Sequence, residues 1–157
     1  MRYVLGVDLG TGSAKAVLLD GAGGQIGRGT AEYPLQKPHP GWVEQDGEDW
    51  WRALGVAARQ AIGDRDSGQV ACVGLSGQLN GAVFVDSAGQ PLRAVPIWLD
   101  HRSQKECEWA EQKAGDLLKD RALSRLGPVN TLAKVLWLKA NEPEIYHQTR
   151  WALLPKD

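Results

Sequence analysis

Long apolar runs, an excess of one charge and a cysteine framework are all missing from this 157-residue sequence. No apolar stretch approaches the ~20 residues of a membrane-spanning helix, and the first residues lead into a strand-like segment instead of a signal peptide. The 18 basic and 19 acidic residues give a net charge of −1, without the basic excess typical of proteins that bind nucleic acid or anionic membranes. Cys72 and Cys107 have neither the spacing of a metal motif nor the number needed for a disulfide framework. We therefore expect a soluble, cytoplasmic protein.

Phenylalanine is almost missing too, with one residue against seven tryptophans. A tryptophan ring can stack on a sugar, but burial with its indole N–H satisfied is the commoner use. Hydrophobic residues make up 43% and charged residues 24%, which excludes wholesale disorder, and the length suits about one domain with a real core. We therefore expect most of the tryptophans in the core or at an interface.

The order of predicted elements indicates a mixed α/β architecture. Three β-rich runs joined by glycine-containing turns over residues 3–33 predict an antiparallel meander. Asp46 is the expected N-cap of a helix that runs to Ile62, with Asp49 three places on in the manner of a capping box. The nearly continuous apolar run over residues 70–75 is typical of a strand buried on both faces. The remaining predicted elements are a hairpin over 82–98, helices over 103–118, 131–140 and 143–148, and a last strand over 151–154.

Glycines in the segment 6–13 (GVDLGTGS) mark the turn that carries the most chemistry. The P-loop string G-x-x-x-x-G-K-[ST] does not occur in the sequence, and Lys15 stands where a dinucleotide-binding fingerprint needs its third glycine. A β-hairpin turn remains, in which glycines let the backbone approach a polyphosphate and successive N–H groups bind an anion. Asp8 beside such a turn is the type of ligand that holds Mg²⁺. The alternative is a structural hairpin in which Asp8 only satisfies turn amides.

Five segments, in order along the chain, carry a resemblance to a known family. Asp8-Leu9-Gly10-Thr11 is similar to the phosphate-binding loop of the actin, Hsp70 and sugar-kinase superfamily. The further segments match FGGY-type carbohydrate kinases: 38–46 (PHPGWVEQD), 77–81 (GQLNG), 98–102 (WLDHR) and 131–138 (TLAKVLWL). The chain resembles the amino-terminal part of such a kinase, most closely the xylulokinase group. The resemblance implies a ribonuclease H-like α/β fold with an incomplete mixed sheet, residues 1–157 being a partial amino-terminal domain and the second domain absent.

The same resemblance implies a nucleotide site around the turn. In that site Asp8 orients the phosphates of ATP and is the ligand of Mg²⁺. The surrounding positions that are expected to bind the phosphates are Gly10, Thr11, Gly12, Ser13 and Lys15.

A sugar site is implied as well, and its expected members are Gln78, Leu79, Asn80, Trp98 and Asp100. Asn80 stands where xylulokinases usually have histidine. An asparagine side chain donates and accepts hydrogen bonds but does not titrate, so its selectivity for a sugar hydroxyl would differ. Asp100 and Arg102 are expected to form a local ion pair that shapes the cleft.

The implied activity is ATP-dependent phosphorylation of a ketopentose such as D-xylulose. The general base of this family, an aspartate in a Gly-Gly-x-Asp-like segment, has no counterpart in the sequence. We therefore expect an amino-terminal fragment that is inactive alone. A sheet edge without its next strand predicts marginal stability, self-association or pairing with a carboxy-terminal part. Two other functions stay open: a non-catalytic carbohydrate-binding module with exposed tryptophans, and a non-catalytic remnant that pairs with another chain.

Overall fold

The computed structural model describes residues 2–122 and 125–157, and these residues form two units. Unit 1 comprises the described residues up to Leu35 together with Asp46–Gln78 and Lys156, and unit 2 comprises Gln36–Gln45, Leu79–Pro155 and Asp157. In chain order the strands are β1 (Tyr3–Leu9), β2 (Ser13–Leu19), β3 (Gln25–Glu32), β4 (Glu44–Gln45), β5 (Val70–Gly77), β6 (Val83–Val85), β7 (Val95–Pro96) and β8 (Trp151–Leu153). The helices are α1 (Gly47–Ile62), α2 (Gln104–Ala122), α3 (Thr131–Asn141) and α4 (Pro143–Gln148). Within the described ranges, none of these helices is long and apolar enough to cross a bilayer.

The sheet of unit 1 has the strand order β3-β2-β1-β5. The pairs β1–β2 and β2–β3 are antiparallel, which confirms the predicted meander. Strand β5 lies parallel to β1, and helix α1 lies between β3 and β5 in the chain. The result is the mixed α/β sheet that the sequence predicts.

Helix α1 packs directly onto the backbone of β3. Asp46 precedes the helix, and its side chain accepts a hydrogen bond of 2.9 Å from the Glu48 N–H, as expected of an N-cap. Its buried face includes Ala57 and Ala61, and it meets glycines in β3. A Cβ at Gly29 would lie 2.1 Å from the Ala57 carbonyl oxygen, so only glycine allows this close approach.

Strand β5 corrects one expectation, because it is not buried on both faces. Among the described residues it has a single neighbouring strand, β1, and its residues 71–76 are exposed. Val73 is 60% exposed and Leu75 is 46% exposed. An apolar run predicts a β-strand, because its residues favour strands and burial, but it does not predict which other elements cover that strand.

Unit 2 corrects the predicted hairpin over residues 82–98. Strand β6 pairs antiparallel with β8, and β7 pairs antiparallel with β4. The turn after β6 does form, since the Asp86 carboxylate accepts from the N–H groups of Ala88 and Gln90. Its two arms are joined by a bridge between Val85 and Pro91 and by the Ala82 N–H, which donates to the Pro96 carbonyl oxygen, but β6 and β7 are not paired in one sheet. A turn depends on neighbouring residues and can be predicted from them, whereas the strand with which β6 pairs depends on distant parts of the chain.

Helices α3 and α4 lie within a residue of their predicted bounds, whereas α2 begins one residue later than predicted, ends four later and is interrupted at Ala114. Phe84 and Leu138 are at the centre of the apolar cluster of unit 2. Among the tryptophans, Trp50 and Trp137 are buried. Four others are exposed, so the prediction of core packing is wrong for Trp51, Trp98, Trp109 and Trp151.

Candidate functional site

A row of polar residues crosses three adjacent strands of unit 1. Asp8, near the end of β1, is the Cα partner of Lys15 in β2 and of Ser76 in β5. Residues in register on neighbouring strands place their side chains on the same face of a sheet. These three residues, with Gly6 and Gly74, line an open cavity of about 420 Å³. The predicted carboxylate and the predicted basic residue are therefore neighbours on one accessible surface.

The turn that follows Asp8 is held by its own backbone and by β3. The Gly10 N–H donates to the Ser13 carbonyl oxygen at 3.0 Å, which closes the hairpin. A Cβ at Gly10 would lie 3.1 Å from that same oxygen, so a side chain there would crowd the turn. Gly12 is exposed, and a Cβ at Gly12 would meet no atom within 4 Å. The glycine at position 12 thus leaves open space over the turn.

Tyr33 is a residue of this site that the sequence reasoning missed. Its hydroxyl donates to the Gly10 carbonyl oxygen, and its backbone N–H donates to the Gly12 carbonyl oxygen at 3.2 Å. Burial, together with the nearby Asp8 carboxylate, raises the pKa of Tyr33 to about 12. The only sequence signal was an aromatic residue at the end of a strand whose partner begins at the turn.

The side chains around the turn suit Mg²⁺ that arrives with phosphates. No group of three His, Cys, Asp or Glu residues that could enclose a metal ion is found over residues 2–122 and 125–157. Mg²⁺ usually takes one or two carboxylates and completes its shell with water and phosphate oxygens. Asp8 supplies one carboxylate, and the hydroxyl-bearing residues Thr11 and Ser13 stand in the adjoining turn. This donor set fits a metal–phosphate complex better than a resident metal.

The expected sugar-contact residues fall in both units. Gln78, in unit 1, donates its backbone N–H to the Leu9 carbonyl oxygen at 2.7 Å, which fixes the end of β5 to the end of β1. Leu79 and Asn80 lie in unit 2, where Leu79 is 64% exposed. Asn80 has a φ of 62°, in the left-handed region that asparagine tolerates better than most residues. Trp98 is accessible as well, with 40% of its surface exposed.

Asp100 differs from the other expected sugar contacts, because its side chain has no exposed surface. Its carboxylate accepts from the Val43 N–H at 2.7 Å and from the Arg102 guanidinium at 2.7 and 2.9 Å. The predicted Asp100–Arg102 ion pair is confirmed. In this structure the Asp100 carboxylate is committed to the Val43 N–H and the Arg102 guanidinium and has no exposed surface.

Arg102 is the centre of a buried ion network in unit 2. Its guanidinium lies 3.7 Å from the ring centroid of Trp42 and 4.9 Å from that of Trp137. Glu44 pairs with both Arg102 and Arg93. Cation–π stacking and ion pairs together hold Arg102 in one position. The network ties segment 36–45 to the residues that follow β7.

Lys134 is another buried charged residue of unit 2, and the sequence reasoning missed it. Its ammonium group donates to the carbonyl oxygens of Pro128 and Val129 at 2.9 and 2.8 Å. Burial lowers the pKa of Lys134 to about 8, although the negative charge of Asp100 opposes the shift. A lysine inside an amphipathic helix pattern is usually read as exposed, so only the structure reveals this position.

Comparison with known proteins gives one consistent result. The model of the FGGY family of carbohydrate kinases, N-terminal domain, matches residues 3–157. The xylulose kinase of Escherichia coli (strain K12) is 37% identical over 156 residues, which cover 98% of this chain and 31% of that protein. A glycerol kinase of Saccharolobus islandicus (strain L.S.2.15 / Lassen #1) is 30% identical over 145 residues, 92% of this chain and 29% of that protein.

The fold comparison agrees with the sequence comparison. The crystal structure of a xyloylose kinase from Brucella ovis superposes with a TM-score of 0.92 at 36% identity, covering 99% of this chain and 33% of that one. The ribonuclease H-like, sugar-kinase type of α/β fold that the resemblance implied is thereby confirmed. The chain spans about a third of the length of these relatives.

Proposed function

The chain belongs to the FGGY family of carbohydrate kinases, and we propose that it carries the phosphate-binding turn and part of the sugar-contact surface for ATP-dependent phosphorylation of a ketopentose such as D-xylulose. One observation supports this function above the others: Asp8 and Lys15 lie side by side on an accessible surface next to the Gly10–Ser13 turn. The similarity to xylulose kinases supports the substrate class, while the similarity to a glycerol kinase leaves the smaller polyol as the competing acceptor.

In this proposal, each residue of the turn has a separate task. Asp8 would hold Mg²⁺ of the Mg²⁺–ATP complex, and Lys15 would place a compact positive charge near the phosphates. Thr11 and Ser13 would donate hydroxyl hydrogen bonds, and Gly12 leaves the space that a phosphate needs. Bound Mg²⁺ supplies neutralisation of the charge that develops on the transferred phosphoryl group.

The sugar would be recognised by accessible groups of different chemistry. Asn80 would donate to and accept from sugar hydroxyls, and Trp98 would pack against the apolar face of the sugar. Leu79 would flank the same sugar. We assign Asp100 a positioning role, since its buried carboxylate orients Arg102 and the Val43 backbone instead of the substrate.

Phosphoryl transfer also needs a group that takes the proton of the attacking hydroxyl. We find no Gly-Gly-x-Asp-like string in the sequence, so this base would come from a polypeptide segment other than residues 1–157. We propose that a carboxy-terminal part, joined or separate, pairs with these residues to complete the enzyme. The 157-residue chain alone should therefore bind Mg²⁺–ATP weakly and give no turnover.

The experiment is a calorimetric titration of the purified chain with Mg²⁺–ATP, with Asp8→Asn and Asp64→Asn compared as variants. We expect Asp8→Asn to weaken Mg²⁺–ATP binding at least tenfold, because an amide cannot replace the anionic oxygen, and Asp64→Asn, an exposed site in a turn, to leave it unchanged. Equal binding by both variants would contradict the assignment of Asp8.

A second titration separates the kinase proposal from a carbohydrate-binding module. Tryptophan fluorescence is followed while D-xylulose is added with and without Mg²⁺–ATP. Sugar binding that depends on neither Mg²⁺–ATP nor Asp8 would favour the module, whose exposed candidates include Trp51 and Trp109.

A further inference from the structure

Tyr33 contacts the Gly10–Ser13 turn at two carbonyl groups. The phenol hydroxyl donates to the Gly10 oxygen and the backbone N–H donates to the Gly12 oxygen, so the two contacts lie on either side of Thr11. The Tyr33 residue is 7% exposed, so its phenol ring lies largely out of contact with water. A single residue outside the turn therefore fixes two of its peptide groups.

Carbonyl direction matters in a turn that receives an anion. A carbonyl oxygen carries partial negative charge and repels a phosphate, whereas an N–H group attracts it. In a planar trans peptide the C=O and the following N–H point in opposite directions. Holding the Gly10 oxygen toward Tyr33 therefore turns the Thr11 N–H away from Tyr33. The second contact holds the Gly12 oxygen toward the Tyr33 N–H and so turns the Ser13 N–H away from it in the same way.

The phenol keeps its proton under all ordinary conditions. Burial and the Asp8 carboxylate raise the pKa of Tyr33 to about 12, so the hydroxyl remains a donor at any pH at which the protein would work. The side chain of Tyr33 is thus suited to positioning and not to proton transfer.

We propose that Tyr33 is the positioning residue of the phosphate-binding turn, and that its hydroxyl orients the Gly10–Thr11 peptide for a polyphosphate. This inference rests on the proposed function of the turn. The hydroxyl makes no contact with the phosphates in this scheme, because its hydrogen is committed to the Gly10 oxygen. Its effect is to keep carbonyl oxygens off the surface where the phosphates bind.

The first test compares Tyr33→Phe with Tyr3→Phe, a matched control in β1 of the same unit. Amide hydrogen exchange is measured by NMR without any ligand. We expect exchange at residues 10–13 to become at least fivefold faster in Tyr33→Phe only, the loss of one typical hydrogen bond. Unchanged exchange in both variants would overturn the positioning role.

The second test is the affinity for Mg²⁺–ATP, measured by calorimetry on the same proteins. Tyr33→Phe should bind about five- to tenfold more weakly, with Tyr3→Phe like the parent chain. If the parent chain binds and Tyr33→Phe binds equally well, the inference about Tyr33 fails while the proposed function stands. If the parent chain does not bind Mg²⁺–ATP or Mg²⁺–tripolyphosphate, both fail together.

A series of tyrosine analogues at position 33 provides a test that still works if Tyr33→Phe destabilises the whole protein. In a Tyr3→Phe, Tyr146→Phe background, Tyr33 is the sole tyrosine and can be replaced by fluorinated tyrosines of increasing acidity. A more acidic phenol donates a stronger hydrogen bond, so affinity for Mg²⁺–ATP should rise along the series at constant packing. Affinity that does not follow phenol acidity would reduce Tyr33 to a packing residue and overturn the inference.

Discussion

At the scale of single residues, buried charges organise unit 2. Asp100 and Arg102 have almost no exposed side-chain surface, and Trp42 stacks on the guanidinium at 3.7 Å. A buried ion pair contributes little to net stability, because the cost of removing both charges from water offsets their attraction. Removing one partner is nevertheless destabilising, since it leaves the other charge buried and uncompensated. The network therefore acts by fixing the positions of the segments it joins, which include the Val43 backbone.

Lys134 should make the free energy of unfolding depend on pH. Its pKa is about 8 in the folded chain and 10.5 as the ordinary value, so between these values the unfolded chain binds more protons. The cost of burying the charged ammonium is present below pH 8 and disappears as the pH rises through this window. We expect the free energy of unfolding to rise by on the order of 2 kcal/mol across the window in the parent chain.

The measurement is urea unfolding at a series of pH values between 7 and 10.5, with Lys134→Met as the comparison. Methionine has a similar length and no charge, so the Lys134→Met variant should lack the rise that the lysine causes. The same slope in both proteins would show that another group titrates, and would contradict the role of Lys134.

At the scale of elements, α1 lies so close to β3 that a side chain at Gly29 has no room. Gly29→Ala would place its Cβ 2.1 Å from the Ala57 oxygen and 2.7 Å from Gln60 Cβ, so the helix has to move away from the sheet. We expect a loss of about 3 kcal/mol in the free energy of unfolding, at the upper end for an overpacked site. The measurement is the urea midpoint at unchanged m-value.

Gly74→Ala is the control for that substitution, since it lies in β5 of the same sheet and its Cβ would meet no atom within 4 Å. Its stability should stay within about 0.5 kcal/mol of the parent, or rise slightly because alanine suits a strand better than glycine. Equal destabilisation by both alanines would show that strand propensity, and not the approach of α1, decides the cost.

At the scale of the whole molecule, the edge of β5 is the surface most prone to association. Val73 and Leu75 are exposed on a strand that has one neighbour among the described residues. Exposed apolar edge strands pair with other chains, and a lysine on the edge suppresses such pairing. We expect the average sedimentation coefficient of the parent chain to rise with concentration, and that of Val73→Lys to stay constant.

Trp51→Lys is the matched control for the edge, because Trp51 is 73% exposed but lies on α1. It should associate like the parent chain. If Trp51→Lys abolishes association and Val73→Lys does not, the helix surface and not the sheet edge is the contact. A parent chain that stays monomeric at every concentration would contradict the prediction altogether.

Local patterns were sufficient for a large part of the fold and of the candidate site. The Asp46 cap, the three-strand meander and the Asp86 turn each depend on residues within a few positions of one another, and all three form as predicted. Asp8 and the turn were predicted in the same way. An acidic residue, glycines and hydroxyl groups within one short segment indicate a phosphate-binding turn without reference to the rest of the fold. The Asp100–Arg102 pair also joins residues two positions apart.

Sequence alone indicated the family, through the resemblance of short motifs, and most of the element types, because motifs and periodicity are properties of short segments. Only the tertiary structure decided that β6 pairs with β8, that β5 is an exposed edge, that Asp100 is sealed from solvent and that Tyr33 supports the turn. Each of these depends on contacts between distant segments. Such contacts follow from how the segments of each unit pack together, and no pattern within a single segment records them.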